Sequence, residues 1–226
     1  MITSAPSRMC ARRYGRLQKL LAYLPVPLLL FAFLQGCALP QLQDRTVSTA
    51  LTEQQARETH LGKALVQRVQ QNKGKAGLYP IHDPKEAFAS RMALVRAAER
   101  TIDIQSYLWR SDTTGTLMLN ELRRAADRGV RVRLLLDDNG ITGLDHQLNW
   151  VDSHPNVEVR LFNPFVIRNP KWLGYVTDFS RVNRRMHNKT FTVDNQVTIA
   201  GGRNIGDEYF GATDEALFTD LDMLCV

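Results

Sequence analysis

Thr101-Ile102-Asp103-Ile104-Gln105-Ser106-Tyr107 alternates apolar and polar side chains, the period of a half-buried strand. Working outward, Thr114 to Arg128 carries Leu117, Leu122, Ala125 and Ala126 at helical spacing, expected to face inward, and Gly129 is placed to stop it. Val130 to Leu136 reads as a second strand, a helix follows from about Leu144, and Val157 to Phe162 reads as a third strand. Upstream, Asp83-Pro84-x-Glu86 is a helix start: a capping carboxylate, proline at the first helical position, and an acid at the third. Strand, helix, strand, helix, strand implies right-handed crossovers and a mostly parallel mixed sheet flanked by helices. The expected class is therefore α/β, running from residue 78 to 226.

The length of 226 residues, with 44% hydrophobic and 23% charged residues, excludes wholesale disorder. The net charge of +6 is located at one end: residues 1–36 hold Arg8, Arg12, Arg13, Arg16 and Lys19 and no acid. Beyond residue 36, 24 basic residues face 23 acidic ones, so global basicity does not argue for a nucleic-acid binder. Residues 1–36 have the parts of a secretory signal: a basic stretch, an apolar run from Leu20 to Leu34 broken by Pro25 and Pro27, and a small-residue exit. Leu34-Gln35-Gly36-Cys37 resembles the lipobox of bacterial lipoproteins, which would make Cys37 the lipidated first residue of the mature chain. A retained membrane anchor and a cytoplasmic protein with a misplaced start are the alternatives. The lipoprotein pattern, with Ala38 after the cysteine, implies a lipid-anchored protein of the cell envelope, held at the outer membrane and facing the periplasm.

Cys10 lies in the signal and Cys37 would carry lipid, so Cys225 alone remains and no internal disulfide is expected. No metal-ligand spacing occurs, and His60, His82, His146 and His154 are scattered. Neither a metal nor another cofactor is expected. Residues 37–77 read as a glutamine-rich tether with one marginal helix, opened by a Thr52-x-x-Gln55 capping box and carrying Leu61, Leu65 and Val69 on one face.

Asp137-Asp138 falls at the carboxyl end of the second strand, where open α/β sheets place ligands. It suits a cation or a substrate hydroxyl, or else a solvated turn before Asn139-Gly140, which is the preferred reading.

The chemistry concentrates in residues 187–204: His187-Asn188-Lys189-Thr190-Phe191-Thr192-Val193-Asp194, six further residues, then Gly201-Gly202-Arg203-Asn204. On a strand, His187 and Lys189 project to one side, about 6–7 Å apart. An ammonium there neutralises phosphate oxygens while a neutral imidazole nitrogen attacks phosphorus. Gly202 permits close backbone approach to an anion, and Asn204 supplies amide hydrogens. Asp194 closes a hairpin in an Asp-Asn turn and reads as structural.

The pattern H-x-K-x4-D-x6-G-G-x-N resembles the HKD motif of the phospholipase D superfamily. Two further runs, Ala125 to Asp138 and Gly202 to Phe210, resemble the bacterial cardiolipin synthase C branch, whose first half is covered from about residue 78. The resemblance implies a phospholipase D-like lobe, one half of the usual two-lobed fold. It makes His187 the phosphohistidine-forming nucleophile, Lys189 and Asn204 phosphate ligands together with the Gly202 backbone, and Asp194 a support of the catalytic set. Asp220 matches a carboxylate that hydrogen-bonds the histidine of the other motif. The superfamily's site uses two HKD motifs, one histidine attacking and the other protonating the leaving alcohol. None of the other four histidines has lysine two residues on, and Leu221 to Val226 reads as an unfinished strand. A missing second lobe or a homodimer is implied.

Residues 162–189 carry a local net charge of +5 from Arg168, Lys171, Arg181, Arg184, Arg185 and Lys189 against Asp178, interleaved with aromatic residues. This composition suits an anionic phospholipid headgroup at a membrane surface, a single nucleic-acid strand, or a buried cover with a solvated rim. The lipid anchor favours phospholipid. Three functions stand: a phosphatidyl-transferring or hydrolysing half-enzyme, a homodimeric nuclease-type phosphodiesterase, and an inactive remnant that binds phosphate.

Overall fold

The computed structural model describes residues 39, 47–214 and 217–226. Cys37 and the signal-like segment lie outside them. Among the described residues no helix is long and apolar enough to cross a membrane.

Thr52 caps α1 (Glu53–Arg57) through the expected reciprocal box with Gln55. The helix then breaks, and Thr59 caps a separate α2 (His60–Gln71). Leu61 and Leu65 pack against the main core while Val69 is exposed, so this stretch is more than a tether with one helix. After β1 (Leu78–Ile81) comes α3 (Pro84–Ala97), whose capping carboxylate of Asp83 accepts from Glu86 N at 2.8 Å. Next are β2 (Thr101–Ser106), α4 (Thr113–Asp127) and β3 (Arg131–Asp137). Gly129 ends α4 with φ +94°, a conformation that suits glycine. A short 3₁₀ turn (Asp138–Gly140), α5 (Asp145–Asp152) and β4 (Val157–Phe162) follow. Then come α6 (Trp172–Thr177), α7 (Phe179–Val182), β5 (Thr190–Val193), β6 (Val197–Gly201), α8 (Asp207–Phe210) and β7 (Asp222–Cys225).

The strands form one seven-stranded sheet in the order β1-β7-β6-β5-β2-β3-β4. The sheet is mixed, as expected, but its parallel pairing is confined to β2, β3 and β4 and the other four pairings are antiparallel. One of the antiparallel pairings follows directly from the Asp194-Asn195 turn, where φ values of 51° and 52° fold β5 back on β6 with no crossover helix. The stretch read as an unfinished strand is β7, paired on both sides, with β1 and with β6.

Ile102, Ile104, Val132, Leu134, Leu136, Phe191, Val193 and Ile199 bury one face of the sheet in a single core with Met118, Leu119 and Leu122 of α4. Leu117, expected inward, is exposed and Met118 and Leu119 take its place. The opposite face is half-exposed and carries charged pairs, among them Arg133 with Asp103 and Arg131 with Asp103. On the core face, Asp222 of β7 is fully buried between Arg91 of α3 at 2.9 Å and Arg203 at 3.4 Å. That carboxylate joins β7 to α3.

Candidate active site

Register places the ends of the motif together. Gln105 opposes Thr190, and Thr190 opposes Ala200, so the start of β5, the end of β2 and the end of β6 meet at the carboxyl edge of the parallel strands. His187 and Lys189 lie immediately before β5, and Gly202 to Asn204 immediately after β6. Tyr107 leaves β2 at the same edge.

The His187 side chain is exposed and stacks on Tyr107, ring centroids 4.0 Å apart and planes 21° from parallel. The Lys189 ammonium lies 5.7 Å from the same phenol centroid and donates to the His187 carbonyl at 2.9 Å. Burial pushes the Lys189 ammonium below the usual lysine value, and the Asp220 carboxylate partly offsets this. Asp220 stands over Gly202: a Cβ on that glycine would come within 2.0 Å of its Oδ1. Glycine here admits the carboxylate against the backbone. Asn188 donates to Gln105 at 2.9 Å and ties the histidine loop to β2.

Asn204 is nearly buried, its Oδ1 accepting from Leu108 N at 3.0 Å and its Nδ2 donating to Tyr209 Oη at 2.9 Å. The side chain thereby clamps the loop after β2 to the loop after β6. Burial raises the Tyr209 phenol above its ordinary value. Asp194 stands apart, at the far end of β5. Its buried carboxylate accepts from the backbone N–H groups of Glu99 at 3.0 Å and of Arg100 and Thr101 at 2.8 Å. It sets the register of the motif hairpin against β2 and does not reach the histidine's end of the strand.

Asp137 and Asp138 form neither a solvated turn nor an open ligand site. Both are fully buried. Asp137 accepts from Arg185 at 2.9 Å and Met186 N at 2.7 Å, and Asp138 from Arg168 at 3.0 Å, Lys171 at 3.1 Å and Phe165 N at 2.7 Å. The basic loop ahead of His187 is thereby fastened to the end of β3. Arg168 also pairs with Asp145, and Arg181 with Asp178. Arg184 is exposed with no ion pair among the described residues. Much of the loop's local charge is thus internally compensated.

Three residues were not apparent from the sequence as part of the site. Tyr175 of α6 donates to Asn139 Oδ1 at 3.0 Å, Asn139 Nδ2 lies 3.4 Å from Tyr107 Oη, and Tyr107 carries the His187 ring. A polar chain therefore runs from α6 to the histidine's stacking partner. The nearest sequence signal is the aromatic residue closing the alternating β2 run.

A sequence model of the cardiolipin synthase, PLD-like domain family matches residues 92–222. The chain belongs to that family. Cardiolipin synthase C of Escherichia coli (strain K12) is 55% identical over 166 residues, 74% of this chain and 35% of that protein. Cardiolipin synthase 1 of Bacillus anthracis is 32% identical over 126 residues, 56% of this chain and 23% of that protein. Phosphatidylserine synthase of Haemophilus influenzae Rd KW20 shares the fold, with a TM-score of 0.51 and 17% identity over 70% of this chain and 37% of that one. The chain thus spans about a third of the length of its Escherichia coli relative. For this PLD-like lobe, the α/β class expected from the alternation of elements holds, and the H-x-K pair sits at the carboxyl edge of its sheet.

Proposed function

We propose that this lobe performs phospholipase D-type chemistry on phospholipid, as part of a cardiolipin synthase-like phosphatidyltransferase or hydrolase. The observation that carries the reading is the exposed His187 ring, held on Tyr107 beside Lys189 at the edge where β2, β5 and β6 end. A neutral ring nitrogen of His187 attacks phosphorus, a P–N bond forms, and the phosphorus–alkoxide bond breaks. Lys189 balances the charge on the nonbridging oxygens; the Gly202 N–H, expected to face an anion, is instead donated to the Leu221 carbonyl at 3.0 Å. The leaving alkoxide takes a proton from a second histidine, contributed by another lobe or a second copy. Water or an acceptor alcohol, giving its proton to that second histidine, then attacks phosphorus; the P–N bond breaks and His187 is freed, giving hydrolysis or transfer. Attachment through Cys37 would hold this site at the envelope membrane.

Internal pairing of Arg168, Lys171, Arg181 and Arg185 favours phospholipid over nucleic acid. A strand-binding groove needs cations free to replace counterions along the phosphates. The test is turnover of labelled phosphatidylglycerol and of a labelled single-stranded oligonucleotide by size-resolved fractions of the full chain and its His187→Ala variant. Lipid turnover with a trapped phosphohistidine, both lost in His187→Ala, supports the reading. Turnover of the oligonucleotide alone, or lipid turnover that survives His187→Ala, overturns it.

A further inference from the structure

The segment between β4 and His187 exposes three bulky apolar side chains within eight residues: Trp172 at 60%, Val176 at 73% and Phe179 at 59%. Their neighbours explain the orientation. Gly174 is buried, and a Cβ there would come 2.7 Å from the ring of Phe165, so that side of α6 packs inward. Trp172 and Val176, two residues to either side, project from the opposite side of the helix. Phe179 opens α7 and is equally uncovered. Scattered single apolar residues on a surface are ordinary, whereas three so close together beside a candidate active site call for a partner.

We infer that Trp172, Val176 and Phe179 form the face by which this lobe enters the interfacial region of an anionic phospholipid bilayer. The inference rests on the lipid reading above. Charge and composition select this occupant. The acids Asp137, Asp138, Asp145 and Asp178 meet most of the loop's cations, leaving a modest positive excess and the unpaired, exposed Arg184 just after α7. A weakly positive rim around uncovered apolar side chains matches a bilayer with anionic headgroups, where an indole sits at headgroup depth and a valine gains by burial. Stacking on nucleic-acid bases would use aromatic faces and give Val176 no role. The same helix reaches the reacting centre, because Tyr175 is the outer member of the chain through Asn139 to Tyr107 and His187. Seating α6 on lipid would hold that chain while a headgroup phosphate meets His187.

The test uses the full chain with vesicles of phosphatidylcholine and phosphatidylglycerol whose acyl chains are brominated. Bromine quenches an indole only on contact, so an N-terminal anchor does not mimic the signal. Trp109 is fully buried and Trp150 lies on α5, which makes the Trp172→Phe variant the reference. Quenching that is present in the wild type and largely lost in Trp172→Phe is expected. A double variant, Val176→Ser with Phe179→Ser, should lower turnover on vesicles about tenfold and leave turnover of a short-chain, monomeric phosphatidyl substrate unchanged. Absence of quenching, or quenching unchanged in Trp172→Phe, overturns the inference. So does quenching by an oligonucleotide in place of lipid, or a dimer that the double variant dissociates. If no lipid is turned over at all, the lobe has met no second histidine, and the bromine signal still decides this inference.

Discussion

Tyr107 and His187 are stacked, 4.0 Å between ring centroids, although 80 residues separate them in the chain. The phenol gives the imidazole a flat support, and it lies close enough to stabilise positive charge on that ring by its π-face. Removal of the support should therefore act on chemistry more than on folding. Tyr107→Ala should lower turnover by about 10-fold, the scale of one aromatic pair. Tyr107→Phe keeps the ring, loses only the contact with Asn139, and should stay within about 3-fold of the wild type. Equal loss in both variants would assign the effect to the hydroxyl instead of the stack.

On the proposed mechanism, Lys189 should set an alkaline limit. Burial lowers its proton affinity, so the ammonium is lost at a pH below the usual lysine range, and phosphate binding weakens as pH rises through that point. Activity should fall on the alkaline side earlier than an unperturbed lysine would allow. Lys189→Arg, charged throughout, should shift that limb upward even if peak turnover drops. A pH–rate profile of the two proteins tests this, and coincident alkaline limbs would contradict it.

Asp194 should govern stability. Its carboxylate satisfies three backbone N–H groups in the connection leading into β2. Asp194→Ala leaves those donors without an acceptor and puts alanine at φ +51°, a combined cost of about 3 kcal/mol or more. Asp194→Asn retains an acceptor and tolerates the turn, and should cost about half as much. Urea midpoints measure both. Folded Asp194→Asn should keep near-normal turnover, since the residue lies at the far end of β5 from His187.

Asp138 holds the loop ahead of the histidine. Asp138→Ala leaves Arg168 with Asp145 alone and Lys171 with only the residue-138 carbonyl, and removes the acceptor of Phe165 N, with an expected cost of about 2–3 kcal/mol, because those cations are only partly buried. Trypsin should then cut the segment 163–186 while the sheet stays intact. A variant as resistant as the wild type would show that other contacts secure the loop.

Local signals were legible in the sequence wherever the interacting groups lie within a few residues. The Asp83 and Thr52 caps, the stop at Gly129 and the Asp194-Asn195 turn each depend on neighbouring backbone, and each forms where the residues suggest. The spacing of His187, Lys189, Gly202 and Asn204 was likewise readable, because a short hairpin converts chain distance directly into spatial distance. Position along a helix was less secure: inward and outward faces of α4 differ by one residue, and Leu117 faces solvent.

The sequence by itself determined the α/β lobe, its family and the H-x-K pair, all properties of short-range pattern. Only the tertiary structure decided what surrounds that pair. Asp137 and Asp138 look like open turn acids until cations from a loop 30 to 48 residues later bury them. Asp222 finds Arg91 across 131 residues, and Tyr107 meets His187 only because β5 folds in antiparallel beside β2. Composition reports which charges and rings a chain owns, but pairing and burial depend on contacts between distant segments, and these exist only once the sheet order is set.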